Sequence, residues 1–134
     1  MLEKIFQLPK LAKYVTASKK WLDLLEFDIR NISTDHDQIS CTISFPEKLT
    51  GNDGIIHGGI ICFVIDSIAG IHAQLFSGKS DMALTKNISV DFLIPIRPVR
   101  VYTIKTFQED NGVRVELLDQ ESCAARGLVN IVLK

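Results

Sequence analysis

The stretch His57-Gly58-Gly59-Ile60-Ile61-Cys62-Phe63-Val64-Ile65-Asp66-Ser67-Ile68-Ala69-Gly70 decides the fold of this chain. Two glycines follow His57, and the apolar residues after them occupy every side of a helical wheel. This pattern predicts a buried helix over 58–76 that begins with the glycines. One carboxylate, Asp66, interrupts this apolar segment nine residues after His57. Because a carboxylate is rarely buried without a partner or a task, Asp66 is a candidate for chemistry.

The start of this helix is a candidate anion site. The first N–H groups of a helix have no acceptor within it and favour a negatively charged oxygen. Gly58 and Gly59 put no side chain between these groups and a ligand. A helix start that stabilises an anion, together with a desolvated carboxylate, predicts a hydrolase site.

Strand patterns lie on both sides of the predicted helix. Before it, 26–34 and 37–46 are predicted strands, and in the second of them apolar and polar residues alternate. The apolar set is Ile39, Cys41, Ile43 and Phe45. After the helix, strands are predicted near 82–94, 98–109, 112–120 and 123–133, with a hairpin at Asp110-Asn111-Gly112.

The order of these elements predicts one domain over 1–134. Residues 1–25 form a helical segment of one or two short helices, and 26–133 form the core. This α+β arrangement predicts a curved antiparallel sheet wrapped around one central helix.

Composition excludes several classes of protein. Hydrophobic residues make up 46% and charged residues 23%, with a net charge of −1, so no general basic field for nucleic acid exists. Three cysteines without paired spacing and no signal-peptide pattern predict a cytoplasmic protein. The longest apolar run, Ile60 to Ile65, predicts no membrane insertion, and the three histidines lack metal-ligand spacing.

The ordered motifs resemble those of the hotdog-fold acyl-CoA thioesterases of the phenylacetate-pathway type, over roughly residues 26–133. The matching positions, in order, are Gly54, His57-Gly58-Gly59, Asp66, Gly70, Thr85 and Pro95. One position departs from the family: an asparagine often stands six residues before the histidine, where this chain has Gly51, with Asn52 one step later. Either the loop brings Asn52 into the site, or that function is absent.

The resemblance implies a hotdog fold and an acyl-CoA substrate. It implies no separate cofactor, since coenzyme A is part of the substrate, and sites built at the interface of a homodimer or a dimer of dimers. Spacing agrees with a shared site: nine helical residues turn through a net half turn and rise roughly 13 Å, so His57 and Asp66 of one chain point apart.

The resemblance also implies roles for the matched residues. Asp66 attacks the thioester carbonyl or acts as general base on a water, and Gly58 or Gly59 donates an N–H to the oxyanion. His57 orients the loop or polarises the substrate, and Thr85 positions the water or Asp66. Each also has a structural interpretation. Asp66 would be a helix carboxylate bonded to a loop, and the two glycines would only permit a turn. His57 would be a structural hydrogen-bonding residue where the loop meets the helix, and Thr85 an ordinary strand threonine.

Basic residues near the predicted strand turns are candidates for holding the coenzyme A phosphates. Arg97 and Arg100 flank Pro98, and Lys79 and Lys86 lie nearby in sequence. Cationic side chains form strong hydrogen bonds with phosphate. The alternative for each residue is an ordinary solvated surface charge.

The sequence leaves two other functions open. A non-catalytic acyl-CoA-binding hotdog protein would keep the binding site and lose turnover, which the displaced Asn52 allows. A hotdog hydratase or dehydratase is less favoured, because its usual pairing of a histidine with an acidic residue is not found. Cys62 lies one turn before Asp66, but no motif supports it as a nucleophile.

Overall fold

A six-stranded antiparallel sheet packs against one 20-residue helix, α1 (Gly58–Ser77). The computed structural model describes residues 20, 21, 23–77 and 83–133, so most of the predicted N-terminal helical segment lies outside the described residues. The strands are β1 (Asp28–Ser33), β2 (Ser40–Ser44), β3 (Ala83–Phe92), β4 (Tyr102–Gln108), β5 (Gly112–Asp119) and β6 (Ser122–Leu133). This is the hotdog architecture that the sequence predicts.

The strands do not follow one another across the sheet. Their order is β1-β2-β4-β5-β6-β3, so β3, the strand that leaves the helix, pairs with β6 at one edge. The helix packs on β3, β4, β5 and β6. Consequently β3 runs alongside α1, with Thr85 beside Asp66 in the middle of the helix and Phe92 beside Gly58 at its start.

The core lies between the helix and the concave face of the sheet. The alternating set Ile39, Cys41, Ile43 and Phe45 is buried, as the period-two pattern predicts. Glycine lets the sheet approach the helix closely at Gly127, where an added Cβ would lie 2.6 Å from Ile65 Cγ2. Ile65 precedes Asp66, so the close packing of Ile65 on Gly127 positions the helix backbone next to Asp66 relative to the sheet.

Several predicted boundaries were wrong at the ends of strands. The predicted strand over 98–109 begins only at Tyr102, because Pro98 and Val99 form a turn in which Val99 has a φ of 69°. The predicted strand over 37–46 covers Ser40–Ser44, since Asp35–Asp37 form a 3-10 turn before it. The loop over 47–56 also begins with a 3-10 turn, at Glu47–Leu49.

The apolar segment of α1 is longer than the run Ile60 to Ile65, from which no membrane insertion was predicted. An 18-residue window of the helix has a mean hydropathy of 1.7, so the short length of that run does not exclude a membrane span. By length and composition alone, such a helix could cross a membrane. Here the same composition serves the packing of the helix on four strands, which buries Ile61, Val64, Ile65 and Ile68, among other residues.

Candidate active site

The chain enters α1 through a capped helix start built around His57. Its carbonyl oxygen accepts from the N–H groups of Ile60 at 2.9 Å and Ile61 at 3.3 Å, which is the backbone role of an N-cap residue. Its own N–H donates to the carbonyl of Leu49 at 3.1 Å. The imidazole Nδ1 accepts the N–H of Gly59 at 3.1 Å, so the neutral ring carries its proton on Nε2.

This cap decides which glycine can serve a ligand. The Gly59 N–H, one of two candidate oxyanion donors, is bonded to the His57 imidazole in this structure. Among the residues that the structure describes, no acceptor is bonded to the Gly58 N–H. Gly58 is therefore the residue whose N–H is open to a substrate oxygen at the helix start.

A groove of about 570 Å³ lies in front of this helix start. One wall is the loop that contains Asn52 and leads to Gly58, and the other is the segment that ends β3 and continues to Ile96. Phe92 stands directly over the glycine, since an added Cβ on Gly58 would lie 3.5 Å from its ring. The groove is mostly apolar, with Phe92, Leu93 and Ile94 all exposed.

Asn52 lies on the rim of this groove. It occupies a turn in which Gly51 N donates to Ile55 O at 2.9 Å and the Asp53 carboxylate accepts the Ile55 N–H at 3.1 Å. The loop therefore brings Asn52 to the same groove as His57 and Gly58. Its side chain is exposed.

The second half of the predicted site is a carboxylate held by a strand hydroxyl. Thr85 Oγ1 donates to Asp66 Oδ1 at 2.5 Å, across the gap between β3 and α1. Asp66 is half-buried and Thr85 is exposed. The other carboxylate oxygen, Oδ2, has no hydrogen-bond partner in the described part of the chain, so it can accept a proton from a ligand or water.

These two halves lie apart within one chain. Eight helical residues separate Gly58 from Asp66, which is a rise of about 12 Å. A single carbonyl group in contact with one of them cannot reach the other, because a hydrogen bond spans about 3 Å. The structure therefore brings together Asp66 with Thr85, and His57 with Gly58, Gly59 and Asn52, but it does not bring the two groups together.

The three predicted phosphate-binding residues that the structure describes have different surroundings. Arg100 Nε bonds Asp119 Oδ2 at 2.9 Å, and this hydrogen bond and charge raise the pKa of Arg100. Arg97 is exposed beside the groove, where its backbone N–H donates to Tyr102 Oη at 2.8 Å. Lys86 is exposed at a bulge in β3 next to Thr85, and Lys79 lies outside the described residues.

Two features near the groove escaped the sequence analysis. Phe92 covers Gly58, and its only sequence signal was a strand that ends in an apolar run before Pro95. Tyr102, which is buried, holds the backbone of Arg97 and so shapes the turn beside the groove. The contact of Phe92 with Gly58 and that of Tyr102 with Arg97 each join different segments of the fold, so no local sequence pattern predicts them.

A third polar cluster lies inside the protein, at the far end of α1. His72 is buried, with Nδ1 2.7 Å from Thr106 Oγ1 and Nε2 3.3 Å from Gln108 Oε1. The Gln108 amide nitrogen donates to the carbonyls of Glu109 and Gly112, so its oxygen faces His72 as an acceptor. Burial lowers the pKa of His72, partly opposed by the hydrogen bond with Gln108.

The cysteines and acidic residues in the described part of the chain form no metal centre. Cys41, Cys62 and Cys123 are free thiols, and burial raises the pKa of Cys41 to about 12. Within residues 20–21, 23–77 and 83–133, no group of three or more His, Cys, Asp or Glu side chains could hold a metal ion.

Comparison with known proteins gives one curated relative and many similar structures. No protein-family model matches the chain. The chain is 29% identical over 69 residues to "Putative esterase SSO2140" of Saccharolobus solfataricus. The match covers 52% of this chain and 49% of that protein, so it spans about half the length of the curated relative.

Solved structures match over much more of the chain. The PaaI protein from the phenylacetic acid degradation operon of E. coli has a TM-score of 0.72 and 18% identity, over 98% of each chain. A hypothetical thioesterase protein of Streptococcus pneumoniae, solved with coenzyme A, has a TM-score of 0.66 and 19% identity, over 81% of this chain and 89% of that one. The smu.793 protein of Streptococcus mutans, bound to acetyl-CoA, has a TM-score of 0.65 and 18% identity, with coverages of 81% and 89%. At these identities the likeness establishes the fold, which is the predicted hotdog fold.

Proposed function

We propose that this protein is an acyl-CoA thioesterase, which converts an acyl-CoA and water into a free acid and coenzyme A. The observation that carries the proposal is the 2.5 Å hydrogen bond from Thr85 to Asp66. It holds a half-buried carboxylate in one orientation and leaves the second oxygen available. Similar structures that contain coenzyme A or acetyl-CoA support this substrate class.

In the proposed reaction Asp66 acts on the thioester carbonyl directly or through a water. As a general base, its Oδ2 takes a proton from the water, whose oxygen bonds to the carbonyl carbon. The carbonyl oxygen becomes an oxyanion that accepts the Gly58 N–H, at the favourable end of the helix dipole. When the C–S bond breaks, the proton held by Asp66 passes to the leaving thiolate. In direct attack, an Asp66 oxygen would instead bond to the carbonyl carbon, the C–S bond would break to release coenzyme A as its thiolate, and water would hydrolyse the resulting acyl–Asp66 anhydride to the free acid and the Asp66 carboxylate.

Because Asp66 and Gly58 lie far apart in one chain, we propose that two copies of the chain form each site. β3 offers a way to join them, since it is a ten-residue edge strand with mostly exposed residues. Such an edge readily pairs with another strand. The exposed edge supports the proposal of a homodimer in which β3 pairs with the β3 of a second copy.

The geometry of that pairing supports a shared site. Thr85 and Phe92 are seven residues apart, or about 23 Å along one strand. If two β3 strands pair antiparallel about their midpoint, between Asn87 and Ile88, Phe92 faces the partner subunit's Ala83. The partner subunit's Thr85 is then only about 7 Å further along. Phe92 covers Gly58 and Thr85 holds Asp66, so each site combines the helix start of one copy with the carboxylate of the other.

Arg97 and Lys86 are the proposed contacts for the coenzyme A phosphates. Both are exposed, and neither bonds a carboxylate among the described residues. They flank different halves of the site in one chain, so a shared site brings them closer. To bind a phosphate, Arg100 would first have to release the Asp119 carboxylate.

The primary test is a panel of acyl-CoA thioesters with a thiol reagent that reports free coenzyme A. Wild type should release thiol from at least one acyl-CoA. Asp66→Asn should bind the same compound and lose turnover by about a thousandfold or more, since it can neither accept the proton nor attack. Binding without thiol release in wild type would favour the acyl-CoA-binding alternative. Turnover in Asp66→Asn close to wild type would remove Asp66 from the mechanism.

Subunit complementation tests the shared site. Gly58→Pro removes the proposed donor N–H, and proline is well accepted at the first helical position, so the helix should persist. Neither Gly58→Pro nor Asp66→Asn should be active alone. After subunit exchange, each mixed dimer has one site with both lesions and one with neither, so activity should return. An inactive mixture would contradict the shared site, because single-chain sites would all carry one lesion.

A further inference from the structure

The His57 imidazole and the Gly59 amide form a fitted pair at the start of α1. Gly59 donates to His57 Nδ1 at 3.1 Å. A Cβ on residue 59 would lie 3.3 Å from that nitrogen and 3.5 Å from the neighbouring Cε1. A side chain on residue 59 would therefore force the ring to shift by a few tenths of an ångström from its place over the amide.

We propose that His57 is a positioning residue: its imidazole takes the Gly59 N–H and thereby leaves the Gly58 N–H as the single aligned donor to the substrate oxygen. This inference rests on the proposed function, since it assigns the oxyanion contact to Gly58. It gives the two glycines different tasks. Gly58 serves the substrate, and Gly59 makes room for the ring that holds the helix start in place.

The composition of the helix start explains why such a device is needed. Two consecutive glycines form a weak first turn, because glycine loses more backbone freedom in a helix than other residues do. A side-chain acceptor for one of the free N–H groups stabilises a helix start. Without His57, the first turn would fray, and a free Gly59 N–H would compete with Gly58 for the substrate oxygen.

The same hydrogen bond argues against a proton-accepting role for His57. In the neutral ring, Nδ1 is occupied by Gly59 and Nε2 carries the proton. Accepting a further proton would require Nδ1 to release the Gly59 amide. His57 thus acts on the reaction through the backbone, and the base or nucleophile of the proposed reaction is Asp66.

Two substitutions of His57 separate positioning from other roles. His57→Ala should lower kcat about tenfold to a hundredfold with little change in KM, because a displaced donor loses transition-state contact more than ground-state binding. Asparagine caps helices through its side-chain oxygen, so His57→Asn should recover kcat to within about threefold of wild type. If Asn is as poor as Ala, the imidazole itself is required and the positioning role is wrong.

A measurement without substrate keeps this test distinct from that of the thioesterase function. Solvent exchange of the Gly59 amide proton, followed by NMR, should accelerate in His57→Ala and stay near the wild-type rate in His57→Asn. Unchanged exchange in His57→Ala would overturn the cap, whatever the enzyme does. If exchange responds as expected but wild type hydrolyses no thioester, the proposed function fails and the positioning role falls with it.

A double-mutant cycle tests the fit of ring and glycine. Gly59→Ala should displace the ring by a few tenths of an ångström while favouring the helix, so the protein should still fold. Because His57→Ala and Gly59→Ala perturb the same contact, the variant with both changes should lose no more kcat than the worse single variant. Losses that multiply would show that Gly59 and His57 act independently, which contradicts the proposal.

Discussion

Replacing Thr85 by valine removes one hydroxyl from the candidate site and almost nothing else. Valine keeps the branched shape of threonine and suits a strand, so β3 should retain its pairing with β6, where Thr85 faces Ile131. What disappears is the 2.5 Å hydrogen bond to Asp66 Oδ1. The carboxylate is then free to rotate and to turn its second oxygen away from the reacting carbonyl.

The size of the effect follows from the exposure of the pair. A hydrogen bond to a charged group contributes about 1.5–3 kcal/mol. Thr85 is exposed, so water can partly replace its hydroxyl, which places the loss near the lower end. Since 1.36 kcal/mol corresponds to a tenfold change in rate, we expect Thr85→Val to lower kcat about tenfold. This is far milder than the loss expected for Asp66→Asn.

The assay is thiol release from the best acyl-CoA of the panel, with Thr85→Ser as the matched control. Serine keeps the hydroxyl and should remain within about threefold of wild type, because only a methyl group is lost. Equal unfolding midpoints in urea would show that neither variant acts through stability. A kcat for Thr85→Val equal to that of wild type would refute the role of the Thr85 hydroxyl, and so would a kcat for Thr85→Ser as low as that of Thr85→Val.

Three further predictions address binding and stability. Arg97→Ala should raise KM for acyl-CoA more than for a short thioester without the nucleotide, since only the former carries phosphates; an equal rise would exclude a phosphate contact. Burial lowers the pKa of His72, so as the pH falls the unfolded chain binds a proton at this histidine before the folded protein does. The free energy of unfolding should therefore fall as the pH drops below about 6.5, and urea titrations of His72→Gln should show a weaker dependence on pH. Gly112→Ala should destabilise by about 3 kcal/mol or more, since its Cβ would lie 2.1 Å from the Val129 carbonyl oxygen. Gly70→Ala, with nothing within 4 Å of the added Cβ, should instead stabilise by about 0.5–1 kcal/mol; equal effects of the two would contradict the packing argument.

Local features of the fold could be predicted from the sequence because they depend on neighbouring residues. The helix was predicted over 58–76 and spans Gly58–Ser77. The alternation around β2 correctly predicted its buried face, and Asn111-Gly112 correctly predicted the hairpin between β4 and β5. The cap of His57 on Gly59 joins residues two apart, so it too was within reach of the sequence.

The site depends on contacts that no local pattern contains. Asp66 was singled out by its apolar surroundings, but its bond to Thr85 exists only because β3 crosses to the far edge of the sheet and pairs with β6. The same crossing places Phe92 over Gly58. Periodicity reports which face of an element is buried, whereas strand order is decided by the pairing of distant segments. The sequence by itself thus determined the helix, the strands and the candidate residues. Only the tertiary structure decided that Thr85 meets Asp66 and that Phe92 covers Gly58, because these contacts join residues nineteen or more positions apart.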